Sequence, residues 1–184
     1  HEQTSRAQAP TETSSSLPER ASVDLSVVIP VYNEERLLEH ASTELVAELE
    51  LRDFSSEILI AENGSRDGTV ELAHHLSASS PHVWTFSGGE PNYGRALKQG
   101  LLNARGELAI CDEIDICDTR FYDAALTLLN TSADVDFVVG SKRAPGAHDR
   151  RPICRRFATG VLNFRLRVGV GFKGTDTHGL KALR

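Results

Sequence analysis

The chain reads as an α/β domain with a mostly parallel central sheet and helices on both faces. Three observations predict this. Short apolar runs alternate with segments of helical spacing five times, and the runs are near-continuous, as in strands covered on both sides. Each conspicuous polar cluster also follows directly on such a run, where sheets of this class collect their ligands.

Residues 1 to 22 are rich in Ser, Thr, Glu, Gln and Pro, and we read them as a disordered tail or an expression remnant. The folded domain then covers 23–184. Leu25 to Val31 is the first strand, and Leu37, Leu38, Ala41, Leu45, Val46 and Leu49 mark a helix after it, with Asn33 as its cap. Glu57 to Ala61 is a second strand, and Glu62 to Thr69 is a turn dense in Asn, Gly, Ser and Asp. A helix from about Val70 leads to a third strand over His82 to Phe86. Helical spacing through Ala96, Leu97 and Leu101 leads to the fourth, Leu108 to Cys111. A helix over Phe121 to Leu129, a strand over Val135 to Val139, a basic loop and an amphipathic segment from Ile153 to Val168 complete the order. The end at Arg184 carries no helix-stop signal, so we expect the domain to be cut off there within a larger protein.

At 184 residues one domain can bury a core without disulfides or structural metal. Three cysteines with no Cys-x-x-Cys spacing argue against a disulfide framework or a zinc ribbon and favour a reducing, cytoplasmic setting. No run of eighteen apolar residues is present, so this stretch is not expected to cross a membrane. The net charge of −6 hides an asymmetry: residues 1–139 carry 9 Lys/Arg against 24 Asp/Glu, and residues 140–184 carry 11 against 2. The acidic body disfavours nucleic acid, whereas the basic region suits phosphates or an anionic membrane surface; a structural helix with a solvated basic face explains it as well.

Asp112, Glu113, Asp115 and Asp118 place four carboxylates in seven residues at the fourth strand end. Acids so crowded repel one another, and a divalent cation removes the repulsion while leaving them ionised; a solvated acidic turn is the competing reading. Every candidate ligand is a hard oxygen, which favours Mg2+ or Mn2+, and Cys111 and Cys117 read as small core residues. Two further clusters converge with this one in a doubly wound sheet. Asn33, Glu34 and Glu35 offer acceptors for a base edge or ribose, or they cap a helix; Glu62 or Asn63 offers the same, or belongs to an ordinary turn with Asp67 capping the next helix. Neither Gly-x-Gly-x-x-Gly nor Gly-x-x-x-x-Gly-Lys-Ser/Thr is present, which disfavours a dinucleotide-binding dehydrogenase or a P-loop ATPase.

This order of features resembles the family 2 glycosyltransferases, inverting enzymes of GT-A fold with a Rossmann-like nucleotide-binding half, over residues 24–184. The matching segments are Val28 to Glu35, the turn Glu62 to Thr69, and Asn92 to Gly100 with Ala104 to Glu107. The family's turn begins Asp-Asp, whereas Glu62-Asn63 stands here, so base preference does not carry over. The counterpart of its Asp-x-Asp motif is Glu113-Ile114-Asp115. The resemblance implies a donor site from Pro30, Tyr32, Asn33, Glu34, Glu62, Asn63, Gly94, Lys98 and Asp112. It implies a metal on Asp115 supported by Asp112 or Glu113, with Asp118 starting the next helix.

The later segments resemble, more loosely, the polyprenyl- and dolichyl-phosphate sugar synthases. That resemblance implies an acceptor-phosphate site from Ser141, Arg143, Arg155, Arg156 and His178, and a peripheral contact at the inner face of the membrane. A phosphate acceptor is already anionic near neutral pH and needs no base; a hydroxyl acceptor would need one, for which Asp176 is the late candidate. The expectation is a metal-dependent glycosyltransferase using a nucleotide-diphosphate sugar. The alternatives are a non-catalytic nucleotide-sugar-binding module and a sugar nucleotidyltransferase.

Overall fold

The computed structural model describes residues 21–140 and 180–184. The element order is β1 (Val23–Val31), α1 (Leu38–Glu50), β2 (Ser56–Glu62), α2 (Thr69–Ser79), β3 (Val83–Ser87), α3 (Tyr93–Asn103), β4 (Gly106–Cys111), α4 (Thr119–Thr131), β5 (Phe137–Val139) and β6 (Lys181–Leu183). The six strands form one sheet in the order β3-β2-β1-β4-β6-β5. β1 pairs in parallel with β2 and β4, and β2 with β3, while β6 runs antiparallel between β4 and β5. The chain winds outward from β1 to β3 and then returns to the other side of β1 for β4. That reversal sets the C-terminal ends of β1 and β4 side by side, the place where sheets of this class form their ligand crevice.

The central strand explains both faces. In β1, Leu25, Val27, Ile29 and Val31 join the main core with Leu38, Leu45 and Leu49 of α1, Ala73 and Leu76 of α2, and Tyr122, Ala125 and Leu129 of α4. The alternate residues face α3. Gly100 of α3 lies so close to β1 that a Cβ there would collide with Val28 Cγ1, so the mid-helix glycine permits that approach. Ala61, Phe86 and Ala96 form a smaller cluster on this side. A strand buried on both faces has no polar side to alternate with, hence the continuous apolar run.

Three expectations are revised. α1 begins at Leu38, one turn later than the periodicity suggests, after Leu37 N and Leu38 N both donate to Glu34 O (3.0 and 2.9 Å). Asn33 does not cap it, because its backbone is left-handed (φ 56°) and its Oδ1 accepts from Arg66 N (2.8 Å). The fifth strand shortens to Phe137–Val139, since Val135 N donates to Ser132 O (3.1 Å) in a turn instead. Asp118 does start the helix after the acidic stretch, its side chain accepting from Arg120 N (3.2 Å). Residues 1–20 of the expected tail, which runs to residue 22, and the amphipathic segment from Ile153 to Val168 lie outside the described residues. Among the described residues no helix is long and apolar enough to cross a membrane.

Candidate functional site

The first two strand-end loops are latched to each other. Asn33 N donates to Ser65 Oγ (3.0 Å), Glu34 N to Thr69 Oγ1 (2.8 Å) and Gly68 N to Glu35 Oε2 (3.1 Å). Asp67 accepts from Thr69 N (3.1 Å) and from the Thr69 hydroxyl, bonds that hold its carboxyl below the usual range. Asp67 thus serves the start of α2 as the turn reading expects. Its bond to Glu35 N (3.4 Å) adds a tie to the β1 loop.

Glu62 is buried at the end of β2. It is 2% exposed, with Oε1 accepting from Ser65 N and Oε2 from the Ser87 hydroxyl, so it knits the ends of β2 and β3 together. Burial of an acid is tolerable when both oxygens are satisfied. Asn63, 7% exposed, accepts from Asn92 N with its Oδ1. The donor there is a backbone amide, which fixes the side chain's oxygen end and leaves its NH2 to donate elsewhere.

Between these loops, Gly64 adopts φ 74°, and a Cβ would collide with Gly89 O and lie 2.8 Å from Pro91 Cδ. The loop from Gly88 to Asn92 therefore rests directly on the Glu62 to Thr69 turn. Arg95 fixes the same loop by donating to Gly88 O (2.6 Å) and Glu90 O (2.8 Å), and Asn92 caps α3 by accepting from Arg95 N (3.0 Å).

Of the four carboxylates of the acidic stretch, Asp112 is buried, Asp118 is half-buried, and Glu113 and Asp115 are exposed. Asp112 is 2% exposed; its Oδ1 accepts from Glu113 N (2.6 Å) and its Oδ2 from the hydroxyl of Tyr122, itself fully buried. Burial pushes the Asp112 carboxyl up to about 6, and the Tyr122 and backbone donors only partly offset it. Glu113 and Asp115 are exposed. Across the crevice, the half-buried Glu34 has its carboxyl raised first by burial and then by the charges of Asp115 and Asp67, so the β1 and β4 loops direct negative charge toward one place. Tyr93, at the start of α3 and half exposed, is raised by burial and then by Glu113, Cys111 and Asp112. Cys117, in a left-handed conformation (φ 42°), is pushed up to about 12 by burial and the neighbouring acids, which keeps it an inert thiol.

Among the described residues no three His, Cys, Asp or Glu side chains converge as a ready-made metal cage. The residues present nonetheless fit a hard cation. Mg2+ is commonly held by one or two carboxylates with substrate phosphates and water completing its shell, and exposed oxygens at Glu113 and Asp115 opposite Glu34 supply that type of donor.

The structure gathers Pro30, Tyr32, Asn33, Glu34, Glu62, Asn63, Asp112, Glu113 and Asp115 at the ends of β1, β2 and β4. Gly94 and Lys98 lie exposed on α3. Ser141, Arg143, Arg155, Arg156, Asp176 and His178 lie outside the described residues. Tyr122 and Tyr93 were not anticipated as site residues. Tyr122 had a signal: it lies on the buried stripe Thr119, Tyr122, Ala125, Leu129, and a phenol there needs a polar partner that the preceding acids can supply.

Comparison with known proteins bears on the family and the fold. The family model described as Glycosyl transferase family 2 matches residues 26–150. Glycosyltransferase AglD of Haloferax volcanii is 29% identical over 187 residues, covering 95% of this chain and 30% of that protein. Dolichyl-phosphate beta-glucosyltransferase ALG5A of Trichomonas vaginalis is 28% identical over 169 residues, covering 85% of this chain and 52% of that protein. The chain thus spans about half, or less, of the length of these relatives. Glucosyl-3-phosphoglycerate synthase from Mycobacterium tuberculosis, solved in complex with UDP, superposes with a TM-score of 0.61 at 21% identity, over 88% of this chain and 56% of that one. The same enzyme solved with Mn2+, UDP and glucosyl-3-phosphoglycerate gives 0.56 at 19% identity, over 88% and 57%. At such identities the likeness shows the fold, which is GT-A.

Proposed function

The chain belongs to glycosyl transferase family 2, and on that premise we propose that it carries the donor-binding part of an inverting glycosyltransferase. The donor is a nucleotide-diphosphate sugar and the acceptor a polyprenyl phosphate or a similar lipid-linked anion. The observation that carries the proposal is the convergence of Glu34, Asn63, Glu113 and Asp115 at the reversal of strand order, where a GT-A sheet presents its ligand crevice.

In this reading the loops after β1 and β2 hold the nucleoside. Asn63 donates its amide N–H to a base or ribose oxygen, and Glu62 keeps the β2 and β3 ends in place without touching the ligand. Asp115, with Glu113, holds a divalent cation, Mg2+ or Mn2+, and the charge of Glu34 adds to the negative field. The cation supplies positive charge against the diphosphate that departs. The neighbour solved with Mn2+ and UDP supports that assignment.

Transfer is one in-line displacement: an acceptor oxygen forms the new bond at the anomeric carbon as the bond to the diphosphate oxygen breaks, which inverts the centre. A phosphate acceptor enters as an anion, with a second pKa of about 6, so no base is required. Arg155 and Arg156, with Ser141, Arg143 and His178, clamp that phosphate; guanidinium groups suit two-point contact with phosphate oxygens. Asp176 would act as a base only for a hydroxyl acceptor. The relative that acts on dolichyl phosphate supports the acceptor class, and the basic region 140–184 supports work at an anionic membrane surface. The cytoplasmic face is the setting proposed.

A donor-hydrolysis screen over UDP-, GDP- and other nucleotide sugars, with Mn2+ or Mg2+, tests the reading. The expected result is slow, cation-dependent release of one nucleoside diphosphate. Absence of any cation-dependent turnover or binding across the panel would overturn it.

A further inference from the structure

The largest fully buried side chain of the described residues is Tyr122, and its hydroxyl donates to a buried carboxylate. A phenylalanine would fill the same volume at the α1/α2/α4 core without requiring a polar partner. Burying the hydroxyl is acceptable because it donates to Asp112 Oδ2. We propose that Tyr122 is a positioning residue for cation binding: it ties the buried Asp112 to α4 and so sets the loop that carries Glu113 and Asp115. The inference rests on the proposed function for the cation's role, but not for the loop contact itself.

The bonds around Asp112 make it an anchor more than a ligand. Its backbone N donates to Val28 O (3.0 Å), continuing the ladder to β1; its Oδ1 accepts from Glu113 N; its Oδ2 receives the phenol. Beyond it the chain turns tightly, with Ile116 N and Cys117 N donating to Glu113 O (2.9 and 3.4 Å) and Cys117 in the left-handed region. Asp118 then caps α4. The loop is therefore pinned to α4 at two points, Asp118 at its end and Tyr122 at its beginning, and the two exposed acids lie between the pins. Losing the hydroxyl frees the first pin. A charge-assisted hydrogen bond of this kind carries enough energy to change an affinity about tenfold.

The test compares wild type with Tyr122→Phe. Mn2+ affinity is measured in the presence of UDP and, separately, of GDP, Tm is measured alongside, and backbone amide exchange is followed for residues 112–118 and for α4. The expected result is Mn2+ binding weakened about tenfold in folded protein, with faster exchange at Glu113, Ile116 and Cys117 and unchanged protection in α4. An Asp112→Asn, Tyr122→Phe double variant should bind Mn2+ no more weakly than Asp112→Asn alone, because Tyr122 acts through Asp112. A lowered Tm with unchanged Mn2+ affinity and unchanged loop exchange assigns Tyr122 a purely structural role and overturns the inference. If Tyr122→Phe does not fold, wild-type exchange decides: free exchange at 113–117 beside a protected α4 overturns it. A wild type that binds no Mn2+ in the presence of either UDP or GDP, with no cation-dependent turnover across the donor screen, overturns the cation role together with the proposed function, whereas Mn2+ binding indifferent to Tyr122→Phe overturns the inference alone.

Discussion

Arg105→Met removes one half of a buried ion pair at the end of the sheet opposite the crevice, and its cost can be worked from the contacts. Glu57 of β2 is 1% exposed and Arg105 19% by side chain. Arg105 Nη2 and Nε donate to Glu57 Oε2 (2.6 and 3.1 Å), while Oε1 accepts from Ser26 Oγ (2.7 Å) and from Arg105 N (3.0 Å). Methionine keeps most of the stem that lies near Trp84, whose ring centroid is 5.9 Å from the guanidinium carbon. It takes the guanidinium away from a carboxylate that is out of water. Breaking a buried pair from one side costs about 3–5 kcal/mol. The two donors retained at Oε1 place this case near about 3 kcal/mol, or a Tm lower by roughly 6–12 °C in a domain of this size. Urea unfolding at pH 7 measures it, and the loss should persist in about 1 M salt because a buried pair is little screened. A loss under about 1 kcal/mol, the range of an exposed pair, would refute the argument.

Three further outcomes are expected. Gly64→Ala should cost about 2–4 kcal/mol, since it adds left-handed strain to a collision with the Gly89 carbonyl; a Tm within about 2 °C of wild type would show that the loop yields. Arg155→Ala with Arg156→Ala should raise the acceptor KM at least about tenfold and leave nucleotide affinity unchanged, as expected when a phosphate loses charged donors; unchanged KM would remove them from the clamp. Asp112 has a folded-state carboxyl raised to about 6 from 3.8, so its protonated form favours the fold: that contribution is full below about pH 4 and is lost as pH rises through about 6. Without divalent ions, Asp112→Asn should therefore gain stability relative to wild type between about pH 4 and pH 6, and a pH-independent difference in urea midpoint would contradict the shift.

Much of the fold was legible because burial on both faces writes itself as unbroken apolar runs. Leu25 to Val31 and Glu57 to Ala61 are recognisable for that reason, and the polar clusters that follow the runs do lie at the C-terminal strand ends. β6 was not legible: Lys181–Leu183 is three residues long, too short to carry a period, and it is a strand only because β4 and β5 hold it between them. Asn33 was misread as a cap because composition permits it, whereas its tertiary partner Arg66 N decides its backbone. In the site, residue types were legible but their exposure was not. Glu62 and Asp112 have the same carboxyl group as Asp115, yet contacts with Ser65, Ser87 and Tyr122 withdraw them into the fold. Those partners are 3 to 25 residues away, and only the packed sheet brings the distant ones together.

The most direct test of the central claim is calorimetric titration of UDP and of GDP into the chain, with Mn2+ and with EDTA, for wild type and Asp115→Ala. The account predicts that one nucleoside diphosphate binds wild type with Mn2+ and is weakened at least about a hundredfold by EDTA or by Asp115→Ala, the scale of a lost charged ligand. Equal affinity with and without Mn2+, or an unaffected Asp115→Ala, would contradict it.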